Sequence, residues 1–328
     1  LGRSAGSENL TSRARAATNP PTQTAQPAAR AQRRKRETVK FGMRYCNTGR
    51  YAVDTELAKE LVQAGEEAGF ESAWTVEHTV VPSGYESSYP YSADGKMAGG
   101  VEDLPLPDPL MWMSFMAGCT STIKFATGIL IVPQHNPVIA AKQIATLDAM
   151  SGGRVLLGIG VGWLKEEFDA IGASFHDRGR RTDEYVAAMR ELWTADRPTF
   201  HGEFVEFENC YCRPQPAQGS VPIIVGGDTE FAARRAGRLG DGYFPAREAP
   251  QDLIALARST AEEHGRDPDA IEITTSMPDD VSKLPALAAM GVSRVVVPVT
   301  PMAGLATAID GPDDARRWAD TIGEYADL

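Results

Sequence analysis

The sequence predicts an α/β protein folded as a (β/α)8 TIM barrel, and three observations predict it. Eight short runs rich in branched and aromatic residues alternate with eight stretches of helical periodicity. Such alternation implies parallel strands joined by right-handed helical crossovers. Several runs are apolar throughout, among them Gly128-Ile129-Leu130-Ile131-Val132 and Val155-Leu156-Leu157-Gly158-Ile159, as strands covered on both faces should be. Eight units in the 290 residues after position 38 suit a closed barrel. A doubly wound open sheet stands as the alternative, because strand order is not legible in one sequence.

Taken in order, the first strand is expected at Val39–Met43. The helix after it, Asp54–Ala68, carries Leu57, Leu61, Val62 and Ala68 at helical spacing and ends on Gly69 as C-cap. The second strand, Glu71–Val76, opens into Thr79–Asp108, an insertion far longer than an ordinary connection and bearing Tyr85, Tyr89 and Tyr91. Long βα loops of a barrel stand at its C-terminal mouth, where active sites are built. Helix Pro109–Cys119, strand Ile123–Val132, helix Pro137–Met150, strand Arg154–Val161 and helix Arg181–Thr194 follow. After this fourth helical region, Pro198–Pro216 alternates Phe200, Phe204, Val205, Phe207 and Tyr211 with glutamates and reads as a small β-hairpin excursion. The remaining strands are expected at Val221–Val225, Gly240–Phe244, Ile271–Thr275 and Arg294–Val299. Their helices are Glu230–Leu239, Pro250–His264, Val281–Met290 and Asp313–Tyr325.

Net charge divides the chain in two. Residues 1–38 carry eight Arg and Lys against Glu8 and Glu37, a net +6, so the other 290 residues carry −17 of the total −11. The first segment has only Leu1 and Leu10 as large aliphatics, too few to offset chain entropy, and is read as a disordered basic region outside the enzyme. Residues 39–328 form the barrel domain. A body at −17 argues against nucleic acid as its partner. No apolar run reaches the ~18 residues of a membrane span, so no membrane partner is expected. Four cysteines in 328 residues do not make a disulfide scaffold, which points to a cytoplasmic protein. Cys210-x-Cys212 lacks further ligands at zinc spacing, and no metal site is expected.

Chemistry is expected at strand ends. Glu77-His78 closes the second strand, where an imidazole would serve as proton donor or acceptor and the adjacent carboxylate would orient it. Gly158-Ile-Gly160-Val-Gly162-Trp163 lacks the last interval of the dinucleotide fingerprint but lets backbone approach a ligand. Gly226-Gly227-Asp228 precedes a helix whose N-terminus suits a phosphate, with Asp228 as candidate N-cap. Gly128-Ile129 places a glycine in mid-strand, the mark of a bulge or of a flat ligand approaching closely. Arg178 to Glu184 reads either as a grip for an anionic tail or as a solvated helix start capped by Thr182. Tyr45, Trp74 and Trp112 are weaker candidates for the pocket wall.

On these residues the chain resembles the bacterial luciferase-like superfamily, and more narrowly its oxidoreductases that use the deazaflavin coenzyme F420. The motifs that carry the resemblance are Tyr89-Pro-Tyr-Ser-Ala-Asp-Gly95, Asn136-Pro137 with Ala141-Lys-Gln-Ile-Ala-Thr-Leu-Asp148, and Ser151-Gly-Gly-Arg154. Gly160-Val-Gly-Trp-Leu-Lys-Glu-Glu-Phe168 and Arg178 to Glu184 complete them. The resemblance implies hydride transfer between F420 and a small organic substrate, with FMN as the alternative cofactor in a reduced-FMN monooxygenase. A non-catalytic flavin-binding protein is a further alternative. It implies a homodimer, His78 at the reactive face of the cofactor, and a non-prolyl cis peptide at Gly128-Ile129 behind the ring. Gly160, Gly162, Gly226 and Gly227 would line its ribityl-phosphate side. Trp163 stands where sugar-phosphate dehydrogenases of this family carry a glutamate, which implies a more apolar substrate pocket here. F420 also bears an oligoglutamate tail, so a body at −17 would need a basic patch from Arg178, Arg180, Arg181, Lys165 or Arg44.

Overall fold

The computed structural model describes residues 39–246, 248–301 and 308–325, so the segment 1–38 lies outside the described residues. The elements run β1 (Lys40–Arg44), α1 (Arg50–Val53), α2 (Thr55–Ala68), β2 (Ser72–Thr75), α3 (Pro109–Ala117), β3 (Lys124–Thr127) and β4 (Leu130–Ile131). Next come α4 (Pro137–Ser151), β5 (Val155–Gly160), α5 (Lys165–Ala170), α6 (Arg178–Thr194), β6 (Phe200–His201), β7 (Glu206–Phe207) and β8 (Ile223–Gly226). The last are α7 (Glu230–Leu239), β9 (Gly242–Phe244), α8 (Gln251–Glu263), β10 (Glu272–Ser276), α9 (Leu284–Ala289), β11 (Val292–Pro298) and α10 (Pro312–Tyr325).

Strands pair in parallel in the order β3-β2-β1-β11-β10-β9-β8-β5. The ring closes where Phe125 and Ala126 of β3 lie opposite Val155 and Leu156 of β5. That closure decides against the open sheet. The expected single strand Ile123–Val132 is two pieces, because the chain breaks at a cis Gly128–Ile129 peptide before resuming as β4 on the edge of β5. The hairpin excursion is present: β6 and β7 are antiparallel, and the Glu184 carboxylate accepts the backbone N–H groups of Glu203, Phe204 and Val205 in its turn.

Side-chain alternation along the strands sorts the core into two layers. On β11, Val295 and Val297 face the helices, while Val296 joins Trp74, Ala126, Leu156, Ile224 and Phe244 in a cluster inside the barrel. Caps place the helices. Asp54 accepts from Leu57 N at the start of α2, which ends on Gly69 in the left-handed region. Asn136 caps α4 ahead of Pro137. Two expected caps are corrected. Thr229, not Asp228, caps α7, because Asp228 Oδ1 is taken by the N–H of Ala246. Helix α6 begins at Arg178, three residues before the expected start, and Thr182 lies within it with its hydroxyl donated to the Arg178 carbonyl.

The N-terminal end of the barrel is plugged by an ion network. The fully buried Arg294 donates to both oxygens of Glu71, at 2.9 and 3.1 Å, to Glu272 at 3.0 Å and to Thr274 at 3.1 Å. Lys40 and Lys124 flank the two carboxylates.

Candidate active site at the barrel mouth

Beyond β2, Val76, Glu77 and His78 belong to no helix or strand, and the side chains of Glu77 and His78 reach different partners. This geometry separates the two residues that sequence adjacency joins. Glu77 is buried and points toward β4: its Oε2 accepts the Ile131 N–H and its Oε1 lies 2.8 Å from His135 Nε2. His78 Nδ1 lies 3.0 Å from Oε2 of Glu167, a fully buried carboxylate on α5. The other oxygen of Glu167 accepts Thr79 N at 2.6 Å and Val80 N at 3.3 Å. The expected Glu77–His78 pairing is thus replaced by two crossed pairs, His78–Glu167 and Glu77–His135. Burial alone would lower the pKa of His135, but the hydrogen bond and charge of Glu77, with Asp108 and Glu167 behind it, hold it above the ordinary imidazole value.

With Nδ1 facing the Glu167 carboxylate, Nε2 is the ring nitrogen on the side away from it. The ring lines a cavity of about 430 Å³ with Thr79, Val80, Val81 and Ser83 on one wall and Glu102, Asp103, Leu104 and Leu106 on the other.

The glycines converge on one side chain. A Cβ on Gly160 would lie 2.5 Å from Ile129 Cδ1, and one on Gly226 would lie 2.6 Å from Ile129 Cγ2. Ile129 therefore sits between β5 and β8 in space that only glycine leaves open. Gly128, just before it, is held by its N–H to the Thr75 carbonyl at 2.7 Å. Gly162 has φ 80°, and a Cβ there would meet the Phe168 ring at 2.7 Å. Gly227 has φ 127°, but its N–H is committed to the Phe244 carbonyl and its carbonyl accepts the Tyr243 hydroxyl. The backbone N–H of Gly227 is therefore not free for a ligand.

Trp163 links these parts. Its ring lies edge-on to His78 at 5.8 Å, Tyr85 at 5.3 Å and Tyr89 at 5.1 Å between centroids. The insertion after β2 is anchored beside it. Glu166 Oε1 accepts the N–H groups of Glu86 and Ser87, Lys165 N donates to Ser87 Oγ, and Tyr85 Oη accepts Met97 N. Burial pushes the Glu166 pKa up, yet its Ser87 and backbone donors together bring it down to about 2. Helix α5 thus uses two adjacent acids, Glu167 on the His78 ring and Glu166 on the loop.

The cationic residues do not gather. Arg178 donates to the carbonyls of Gly162 and Phe175 and stacks on the Phe175 ring. Arg180 pairs with Glu203, Arg181 with Asp177 and Lys165 with Asp169. Trp74 and Trp112 are core, the indole of Trp74 being tied to Ser72 inside the barrel. Sequence reasoning missed Glu167 and His135 as partners. Glu167 lay within the Gly160–Phe168 motif, but as an acid in the first turn of a helix it is explained equally well by the helix dipole.

A family model described as luciferase-like monooxygenase matches residues 40–286. An uncharacterized protein of Mycobacterium tuberculosis is 32% identical over 241 residues, covering 72% of this chain and 83% of that one. An FMNH2-dependent dimethylsulfone monooxygenase of Pseudomonas putida is 34% identical over 195 residues, 58% of this chain and 48% of that protein. Among solved structures, the coenzyme F420-dependent tetrahydromethanopterin reductase of Methanopyrus kandleri superposes with a TM-score of 0.67 at 18% identity, covering 88% of this chain and 99% of that one.

Proposed function

Because this chain belongs to the luciferase-like monooxygenase family, an oxidoreductase family on a TIM barrel, we propose that it is an F420-dependent oxidoreductase acting on a small organic substrate. The observation that carries the reading is the His78–Glu167 pair on the wall of the cavity, with the Trp163 ring edge-on to His78. The residues fit a flat cofactor: Gly160 and Gly226 open the floor in which Ile129 sits, and Gly128-Ile129 would back the ring. Gly162 and Gly227 give the turns that the ribityl-phosphate side requires, and the first turn of α7 would hold the phosphate.

Hydride exchange at C5 is the chemistry the deazaflavin supplies when bound. The chain's own part is the proton: His78 Nε2 gives it to, or takes it from, the substrate atom, while Glu167 fixes the ring and balances its charge. Trp163, Tyr85 and Tyr89 keep water from that atom, and Glu77 holds β4 against β2 so that Ile129 stays in register.

A second reading, a reduced-FMN monooxygenase, is favoured by one observation. Arg178, Arg180, Arg181 and Lys165 are each engaged within the protein, which leaves them poor partners for an oligoglutamate tail. Anaerobic assays separate the two. The F420 reading expects substrate-dependent oxidation of reduced F420 without oxygen. Oxygen uptake that depends on reduced FMN, with no F420 turnover, would replace it by the second.

Two further features belong to this reading. Met111 and Phe115 of α3 and Ile139 of α4 are exposed apolar side chains on adjacent helices, and a homodimer would cover them. Light scattering at twice the chain mass is the expected result, and a monomer at micromolar concentration would refute it. No described helix is long and apolar enough to cross a membrane, and all four cysteines are free thiols, as a reducing cytoplasm would keep them.

A further inference from the structure

Arg44 is the feature of the barrel mouth that the proton chemistry leaves unused. Phe41 and Met43 of β1 face the helices, whereas a Cβ on Gly42 would meet the Trp74 indole inside the barrel at 2.7 Å. Alternation therefore sends Arg44 inward, at the C-terminal end of the strand. The residue is 7% exposed. Its guanidinium lies between two rings, 4.6 Å from the centroid of Tyr45 and 4.8 Å from that of Phe244. Tyr45 holds a left-handed backbone, φ 67°, that few non-glycine residues adopt, and such outliers cluster at ligand sites.

The hydrogen bonds of Arg44 are one-sided. Nη1 donates to the Ala246 carbonyl at 2.8 Å and to Ser276 Oγ at 2.6 Å. Nε is buried without an acceptor. Among the described residues no carboxylate pairs with this side chain. The contrast with other buried arginines is instructive. Arg294 is neutralised by Glu71 and Glu272, Arg235 by Asp183, and Arg154 spends its donors on five acceptors of the α3–β3 and α4–β5 turns. A guanidinium is a permanent cation, and burying one without a counter-charge is costly. The Nε–Nη2 edge that remains is the fork that takes a planar oxyanion through two parallel hydrogen bonds.

Its place in the mouth supplies the ligand side. The Phe244 ring that stacks on Arg44 is also the ring that a Cβ on Gly128 would touch at 3.6 Å. One aromatic ring therefore separates the guanidinium from the Gly128–Ile129 peptide. We propose that Arg44 is an anion-binding residue of the barrel mouth, and that its counter-ion is a planar, delocalised oxyanion brought by the ligand. Two sources share that chemistry: a carboxylate on the substrate, and the N1–C2 carbonyl edge of a reduced flavin or deazaflavin. This assignment rests on the oxidoreductase reading for its second source only.

The first arm of the test needs no cofactor. Titration of the protein with benzoate, followed by tryptophan fluorescence, should saturate, while the neutral isostere benzamide should not. Arg44→Gln should weaken benzoate roughly 10- to 100-fold, the loss expected for a hydrogen-bonded charge, and Arg44→Lys should restore part of it. The second arm compares the affinity for oxidised and reduced F420, and for oxidised and reduced FMN. If the cofactor edge is the source, Arg44→Gln weakens the reduced form by a similar factor and the oxidised form by much less. A benzoate response with unchanged redox preference assigns the substrate carboxylate; the reverse assigns the cofactor edge. No benzoate response in the wild-type protein, together with an unchanged ratio of reduced to oxidised affinity in Arg44→Lys and Arg44→Gln, overturns the proposal. Failure of all cofactor binding with a retained benzoate response would overturn the oxidoreductase reading and leave this one standing.

Discussion

Replacing His78 with alanine is expected to lower turnover by about 10²–10⁴-fold, the range for a positioned acid–base group, while cofactor affinity changes little. The split follows from where the ring sits. Its Nδ1 is committed to Glu167, so the nitrogen lost to the reaction is Nε2 on the cavity side. The floor of the proposed cofactor site, made by Ile129, Gly160 and Gly226, does not include His78. Glu167 would stay anchored through the N–H groups of Thr79 and Val80, which keeps the loop start in place. Rate constants and dissociation constants measured on one preparation check both halves. Unchanged turnover would move proton transfer to another group, and lost cofactor affinity would make His78 part of the floor.

At the other end of the barrel, Arg294→Met is expected to cost about 1–3 kcal/mol, less than for a fully buried ion pair, because it leaves Glu71 and the partly exposed Glu272 without their shared cation. In the wild-type protein burial pushes Glu71 up, but the Arg294 guanidinium overcomes it and brings the pKa from 4.5 down to about 2. Glu272 is lowered against the same burial, chiefly by Arg294. A carboxyl with a depressed folded pKa stabilises the fold above its unfolded value near 4.5, and that contribution fades as pH falls toward about 2. Without Arg294 the burial is far less opposed, so both carboxyls resist ionisation and the variant pays most above about pH 5. Urea melts at about pH 7.5 and pH 4.5 should therefore show a larger deficit at the higher pH. An equal deficit at both would mean that lost packing against Trp74, not charge, is responsible.

The barrel was legible because its signal is repetitive. Eight apolar runs and eight amphipathic stretches leave few topologies, and each expected unit has its counterpart. Boundaries slipped where backbone departs from repetition. The run Ile123–Val132 looks continuous in composition but turns at Gly128–Ile129. The site was legible by position and not by partnership. Strand ends marked His78 and the glycines, yet adjacency in sequence suggested Glu77 as the partner of His78. The two side chains reach different partners, Glu77 meeting His135 and His78 meeting Glu167, 89 positions away. Arg44 was legible only as one of five candidate cations for a basic patch, with nothing in the sequence to separate it from the others. Among the described residues the absence of a carboxylate sets it apart from Arg181, which pairs with Asp177, and burial with an acceptor-less Nε sets it apart from Arg178, whose donors meet carbonyls.

The central claim is that a deazaflavin lies on the floor made by Ile129 between Gly160 and Gly226. It is tested most directly by titrating F420 and FMN into the wild-type protein and into Gly226→Val, following the cofactor absorbance. The expected result is a saturable change with F420 in the wild type and its loss in Gly226→Val, whose side chain would displace Ile129, with the variant folded by circular dichroism. Tight FMN binding without F420 binding, or F420 binding that Gly226→Val leaves unchanged, would contradict it.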